Sequence, residues 1–205
     1  MFPSQIYMKY GPEDTFGGRK VLNVGCGKCT YKAPNVTNLD GYEGVGVNVV
    51  WDLSKTPLPF ESESFDFIIA NHVLEHIPDW YECFKELARI LKPGGTLEIW
   101  VPPVSSDAAF TYTDHINRIG QASFAGVGSW SQRAGSNLAA ESEYAKTDVL
   151  RNMKLIKYYE QPISTWWTII APQWVMSWVS LHLRNVVSEE GYTFKKQEIV
   201  NDPVI

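Results

Sequence analysis

The run Val21–Val24, apolar except for Asn23, empties directly into Gly25-Cys26-Gly27, and no other feature of the chain narrows its fold as much. A short apolar run closed by glycines reads as a buried strand entering a tight turn. Glycine lacks a Cβ and tolerates positive φ, so such a turn lets backbone come close to a ligand. Short glycine motifs also recur by chance, and a plain tight turn fits this one equally well. The residues downstream decide between the two readings.

A second strand is predicted over Val36–Leu39, ending at Asp40, and a third over Gly46–Val50, with Asp52 just beyond. Only residues 25–35, Pro34 among them, separate the first two strands, so the usual crossover helix is cut to a turn or two. Phe65–Ala70 (FDFIIA), preceded by the polar turn Glu61-Ser62-Glu63-Ser64, is the clearest strand. From Asp79 to Leu91 the residues Tyr81, Phe84, Leu87, Ala88 and Leu91 recur at helical spacing, with Asp79 as N-cap and Pro93-Gly94-Gly95 as the stop. Thr96–Val101 reads as a fifth strand, closed by Pro102-Pro103.

Beyond Pro103, the stretch Val104–Asp148 is rich in Ser, Ala, Gly and Asn and suits a mobile cover. Met153–Tyr159 reads as a strand, the region of Trp166, Trp167, Trp174 and Trp178 as one or two helices, and Tyr192–Val200 as a last strand. Strands alternating with helix and loop predict the α/β class, a doubly wound, mostly parallel sheet with a C-terminal helical and aromatic cover. With 205 residues the chain fits a single domain.

Asp40 and Asp52 both fall at carboxyl ends of predicted parallel strands, the edge where open α/β sheets bind ligands. A carboxylate ending the second strand can accept both hydroxyls of a ribose, and Asp52 stands where an adenine amino group would come. Either Asp alone would read as a turn former. Two of them behind a glycine turn favour a nucleoside site.

Taken together, VLNVGCG, NLDG, DLSKTPLPFESESFDFIIANHVLEHIPD and ELARILKPGGTLEIWVP resemble the class I methyltransferases of the type-11-like branch, from Lys20 to Pro103. The resemblance implies a Rossmann-like sheet, S-adenosylmethionine as methyl donor, S-adenosylhomocysteine as product and no metal. It sets Gly25, Cys26 and Gly27 beside the amino-acid portion of that donor, Asp40 on its ribose, Asp52 with Leu53 at its adenine, and Asn71 and His72 along the site after the fourth strand. On this reading residues 18–103 are the donor-binding core, 104–190 the acceptor-side cover, and 191–205 the last strand and tail. The chain departs from the family pattern in three ways: Asn23 stands where an acid is common, Lys28 and Cys29 replace a further small residue, and the first crossover is short. Asn23 can order the loop beside the methyl donor through hydrogen bonds, without the charge an acid would offer an ammonium.

Methyl transfer from a sulfonium is an in-line displacement, so the protein aligns the two reactants and, for a hydroxyl nucleophile, removes a proton. His72 and His115 are the candidate catalytic bases, the latter in Tyr112-Thr113-Asp114-His115, where Asp114 would orient it. A surface loop histidine is the competing reading of His115. His72 and His76, at i and i+4, would share one face of a helix, with Glu75 between them. No third ligand for a metal is evident, so packing or capping is the preferred role of this LEH segment, with His72 kept in the site.

A formal charge of −5 with scattered basic residues disfavours nucleic acid as partner. So does the absence of a Pro-Pro-aromatic element after Asn71-His72. Cys26, Cys29 and Cys83 read as reduced thiols, the C-x-x-C spacing of the first two notwithstanding. Met1–Tyr10 has no signal-peptide pattern, which points to the cytoplasm. Trp166–Leu183 lacks Asp, Glu, Lys and Arg and reaches the lower length of a membrane span, but Pro172, Gln173 and His182 interrupt it. Core or homodimer packing is expected of it, with peripheral membrane contact as the second reading. The expected activity is methylation of a small-molecule or glycan-type acceptor at oxygen or nitrogen, with protein acceptors left open. The alternative is a catalytically inactive member serving in binding or assembly.

Overall fold

A computed structural model describes residues 10–124, 152–162 and 187–198. Within them, one sheet has the strand order β3-β2-β1-β4-β5-β7-β6. Its strands are β1 (Val21–Val24), β2 (Val36–Asp40), β3 (Val49–Val50), β4 (Phe65–Asn71), β5 (Leu91–Val101), β6 (Met153–Pro162) and β7 (Val187–Lys196). The first five run parallel, and β7 pairs antiparallel with both β5 and β6. The sheet is mostly parallel, as the sequence predicts, with an antiparallel edge pair. All four residues of β1 are buried, the mark of a central strand covered on both faces.

One face packs Leu22, Val24, Ile68, Ala70, Leu97 and Ile99 under helix α1 (Trp80–Ile90). The helix presents Phe84, Leu87 and Ala88, fully buried, at the predicted spacing. Asp79 caps it, its Oδ1 accepting the Glu82 N–H at 3.2 Å. On the other face Phe16, Tyr31, Phe67, Ile69 and Trp100 form a smaller aromatic cluster.

The structure revises several boundaries. The β1–β2 crossover contains no helix among residues 25–35. The third strand shortens from Gly46–Val50 to two residues, because Gly46 turns at φ +83° before it. Helix α1 ends before Pro93-Gly94-Gly95: Leu91 pairs with Phe65, and the Pro-Gly-Gly segment bulges out of β5, with Gly94 at φ +77°. β7 starts earlier than the apolar pattern predicts, since the polar Ser188-Glu189-Glu190 is held by pairing with β6. Its Tyr192 hydroxyl donates to the buried Glu190 carboxylate. The described part of the predicted cover, which includes helix α2 (Ala108–Thr111), is anchored in the core by Ile119 and Phe124. The Phe124 ring lies 5.5 Å from Phe84 and 4.7 Å from Tyr192. Among the described residues no helix is long and apolar enough to cross a membrane. Trp166–Leu183, and with it the predicted aromatic cover, lies outside the described residues.

Candidate functional site

The two glycines after β1 are required for different reasons. Gly25 sits at φ +59°, and a Cβ there would lie 2.3 Å from Val73 Cγ2, so this glycine answers to packing. Gly27, at φ +50°, has nothing within 4 Å of the position its Cβ would take, so its backbone presents an open face. Between them the Cys26 N–H bonds the Leu39 carbonyl at 3.0 Å, and the Cys29 N–H closes a turn onto the Cys26 carbonyl at 2.7 Å. Burial, aided by the Asp40 charge, pushes the Cys26 thiol up to about 12. A thiol that stays protonated is neither nucleophile nor thiolate ligand, and C-x-x-C here acts as a turn.

The loop that replaces a crossover helix is held by amides. Asn23, buried in β1, donates through Nδ2 to the Cys29 carbonyl at 2.8 Å and to Asn38 Oδ1 at 3.0 Å. Asn38 accepts the Tyr31 N–H at 3.1 Å and donates through Nδ2 to the Tyr31 carbonyl at 2.8 Å. The Asn48 Oδ1 takes the Asn38 N–H at 2.7 Å, tying the group to the approach of β3. An acid at position 23 cannot donate to a carbonyl. The departure from the family pattern therefore matches the short crossover: Asn23 underpins the loop. The sequence does not single out Asn38 or Asn48, although a buried asparagine within a strand, as Asn38 is, is itself a signal, since strands are poor in it.

Asp40 ends β2 beside the open glycine. Its Oδ2 accepts the Gly27 N–H at 2.7 Å and its Oδ1 accepts the Tyr42 N–H at 3.1 Å. Each carboxylate oxygen keeps a second acceptor site, so the pair can still take a diol. Asp52 is committed locally: Oδ1 accepts the Ser54 N–H at 3.0 Å and the Ser54 hydroxyl at 2.7 Å. These hydrogen bonds hold its carboxyl below the usual range. Leu53 beside it is 8% exposed, an apolar floor at that end.

Asn71 closes β4, paired with Trp100 of β5. His72 follows in the left-handed region at φ +52°, a strained setting for a residue with a Cβ, fixed by its N–H to the Trp100 carbonyl at 2.9 Å. Only a single 3-10 turn, Leu74–His76, comes next, so His72 and His76 do not share a helix face. Glu75, 1% exposed, brings Oε1 to 3.2 Å from His72 Nδ1. His115 lies with His76 instead, ring centroids 4.8 Å apart. Asp114, predicted to orient His115, faces His76: its carbonyl is 3.0 Å and its Oδ2 3.4 Å from His76 Nδ1. His115 Nδ1 is 2.9 Å from the Ala108 carbonyl.

The whole arrangement, an open glycine backbone and a carboxylate at the carboxyl edge of parallel strands, suits a nucleoside with a charged tail. Residues 22–99 match the family described as Methyltransferase domain. The methyltransferase GfsG of Streptomyces halstedii is 35% identical over 107 residues, 42% of this chain and 38% of that protein. Cycloartenol-C-24-methyltransferase of Arabidopsis thaliana is 35% identical over 98 residues, 38% of this chain and 29% of that protein. The chain thus spans well under half the length of these curated relatives. Among solved structures, an S-adenosylmethionine-dependent methyltransferase from Archaeoglobus fulgidus superposes with a TM-score of 0.55 at 14% identity, covering 94% of this chain and 90% of that one. The cyclase SpnF superposes at 0.54 with 13% identity, covering 94% of this chain and 78% of that one. Likeness at such identity shows the fold alone. Residues 22–99 are thus similar to a methyltransferase domain, and the described residues have the fold of the S-adenosylmethionine-dependent methyltransferase from Archaeoglobus fulgidus.

Proposed function

We propose that the protein transfers a methyl group from S-adenosylmethionine to a small-molecule or glycan-type acceptor at oxygen or nitrogen. The observation that carries this reading is the pairing of Asp40 Oδ2 with the Gly27 N–H at 2.7 Å, at a glycine whose Cβ position has nothing within 4 Å of it. These residues fit the methyl donor: Gly25, Cys26 and Gly27 flank its amino-acid portion, Asp40 takes the ribose hydroxyls, and Asp52 and Leu53 border the adenine. When bound, this donor supplies an electrophilic methyl group. His72 and Asn71 line the same edge, and His72 is the group that takes the proton of a hydroxyl acceptor. A carboxylate can only accept, so Glu75 Oε1 fixes the proton on His72 Nδ1 and leaves Nε2 as the basic atom. The cycloartenol methyltransferase relative supports an acceptor of small-molecule size, and the C-24 of its name puts carbon acceptors into the test panel.

Two measurements test the reading. Calorimetry with S-adenosylhomocysteine should give saturable binding that Asp40→Ala weakens by roughly 10- to 100-fold, the worth of hydrogen bonds to a charged group. Unchanged affinity in that variant removes Asp40 from the site. Release of S-adenosylhomocysteine over a panel of acceptors then separates an enzyme from an inactive binding or assembly protein, which would bind the donor and turn over none.

A further inference from the structure

Glu75, His76 and His115 each bring one ligand-type atom to within 4.8 Å of the other two. We propose that these three side chains form a binding site for a divalent transition metal of the zinc class, stapling the turn after β4 to the segment after β5. Three observations converge on it. First, both imidazoles are already oriented as metal ligands are: His76 Nδ1 faces the Asp114 carbonyl at 3.0 Å, and His115 Nδ1 faces the Ala108 carbonyl at 2.9 Å. A carbonyl only accepts, so each Nδ1 carries the proton and each Nε2 carries the lone pair a metal takes; metal-bound histidines commonly show this second hydrogen bond. Second, Glu75 is 1% exposed, and its Oε2 has no hydrogen-bond partner among the described residues. A buried carboxylate oxygen without a partner is costly, and a cation is the group that would satisfy it. Third, two nitrogens and one carboxylate oxygen make a borderline donor set suited to zinc, cobalt or nickel, with a fourth position left for water.

Ligand atoms around a tetrahedral zinc stand about 3.3 Å apart, given metal–ligand bonds near 2.0–2.2 Å, so binding a metal draws the three side chains closer than the 4.8 Å within which they already lie. The backbone already joins the two segments: the Ile116 and Asn117 N–H groups both bond the Glu75 carbonyl at 3.0 Å. Sequence alone offered no third ligand because the partner of His76 is His115 on a distant segment, not His72.

The site is tested on the full chain, stripped with a chelator and titrated with Zn2+ and Co2+ in the absence of any methyl donor. One equivalent of metal should bind. The Co2+ form should show visible absorption and two paramagnetically shifted, exchangeable imidazole N–H resonances, one per Nδ1–H. His76→Gln and His115→Gln should each weaken binding at least by the roughly 10- to 100-fold that losing even an outer partner of a metal ligand costs. Cys29→Ser should leave it unchanged. No saturable binding, affinity indifferent to both histidine variants, or loss of binding in Cys29→Ser would each overturn the site. The N–H resonances come from the unaltered protein, so they decide the matter even where a histidine variant fails to fold. S-adenosylhomocysteine binding, measured separately, reports on the methyl-donor site alone.

Discussion

β1 and β2 lie side by side, as do β4 and β5, and the chain crosses between the members of each pair by different means. From β4 to β5 it spends a helix, α1, whose Phe84, Leu87 and Ala88 disappear into the core. From β1 to β2 it has only the loop 25–35, held by the side-chain amides of Asn23, Asn38 and Asn48. An apolar crossover tolerates changes that conserve volume, whereas an amide network needs every donor and acceptor in place. The β4–β5 crossover is thus where stability resides, and the β1–β2 crossover is where the shape of the glycine turn is set.

The largest effect expected from this division is that of Phe84→Ala, which empties a position packed by Trp80, Phe124 and Phe194 and should cost about 3–5 kcal/mol in urea denaturation. S-adenosylhomocysteine affinity per folded molecule should not change. Asn23→Asp keeps the shape but turns a donor toward two oxygens into a third oxygen; roughly 1–3 kcal/mol should be lost, and ligand affinity should fall with it. A rise in affinity would mean that charge at position 23, not the loop's order, controls the site, and the contrast between the crossovers would collapse. Asp79→Ala removes the cap of α1 and should cost about 1 kcal/mol, with ligand binding untouched.

Acid gives the smallest and most discriminating effect. The Lys92 ammonium, hydrogen-bonded at 2.7 Å, holds the Asp66 carboxyl below its usual range, and the Arg89 guanidinium does the same for Glu86. Both carboxyls belong to the β4–α1–β5 side, and their folded values lie below the unfolded ones. Their contribution is therefore complete above the ordinary carboxylate range near pH 4 and is lost as pH falls through the lowered values. The asparagine network has no proton to gain there. Melting temperatures followed into acid should drop less steeply in Asp66→Asn and Glu86→Gln than in the parent; equal slopes would show that these pairs are not the acid-sensitive element.

The same contrast explains how much could be read from residues alone. β1, β2, β4 and α1 are legible because their apolar spacing is local and unambiguous, and the five-strand parallel core follows from them. β3 and β7 depart from the boundaries their apolar pattern predicts because each is held by a neighbour: β3 by the loop bonds of Asn38 and Asn48, β7 by its antiparallel partner β6. Asp40 stands out because it shares a strand-end position with Asp52 behind the glycine turn, and it does meet the Gly27 N–H. Asn23 was visible as a departure, yet its role depends on Cys29 and Asn38, which only the folded loop brings to it. The histidines were individually conspicuous and wrongly paired, since the left-handed turn at His72 breaks the i,i+4 arithmetic that joined it to His76.

The meeting of Gly25 with Val73 Cγ2 bears on how this chain can change. Position 25 accepts a side chain only after position 73 has been reduced, and even then the newcomer inherits a backbone at φ +59°. The order of mutations is therefore constrained, with the permissive change lying in a different loop from the one it permits. A library built over residues 72–76 would, through Val73, also be a library of glycine turns after β1. Holding Val73 fixed is what keeps selection on one from reshaping the other.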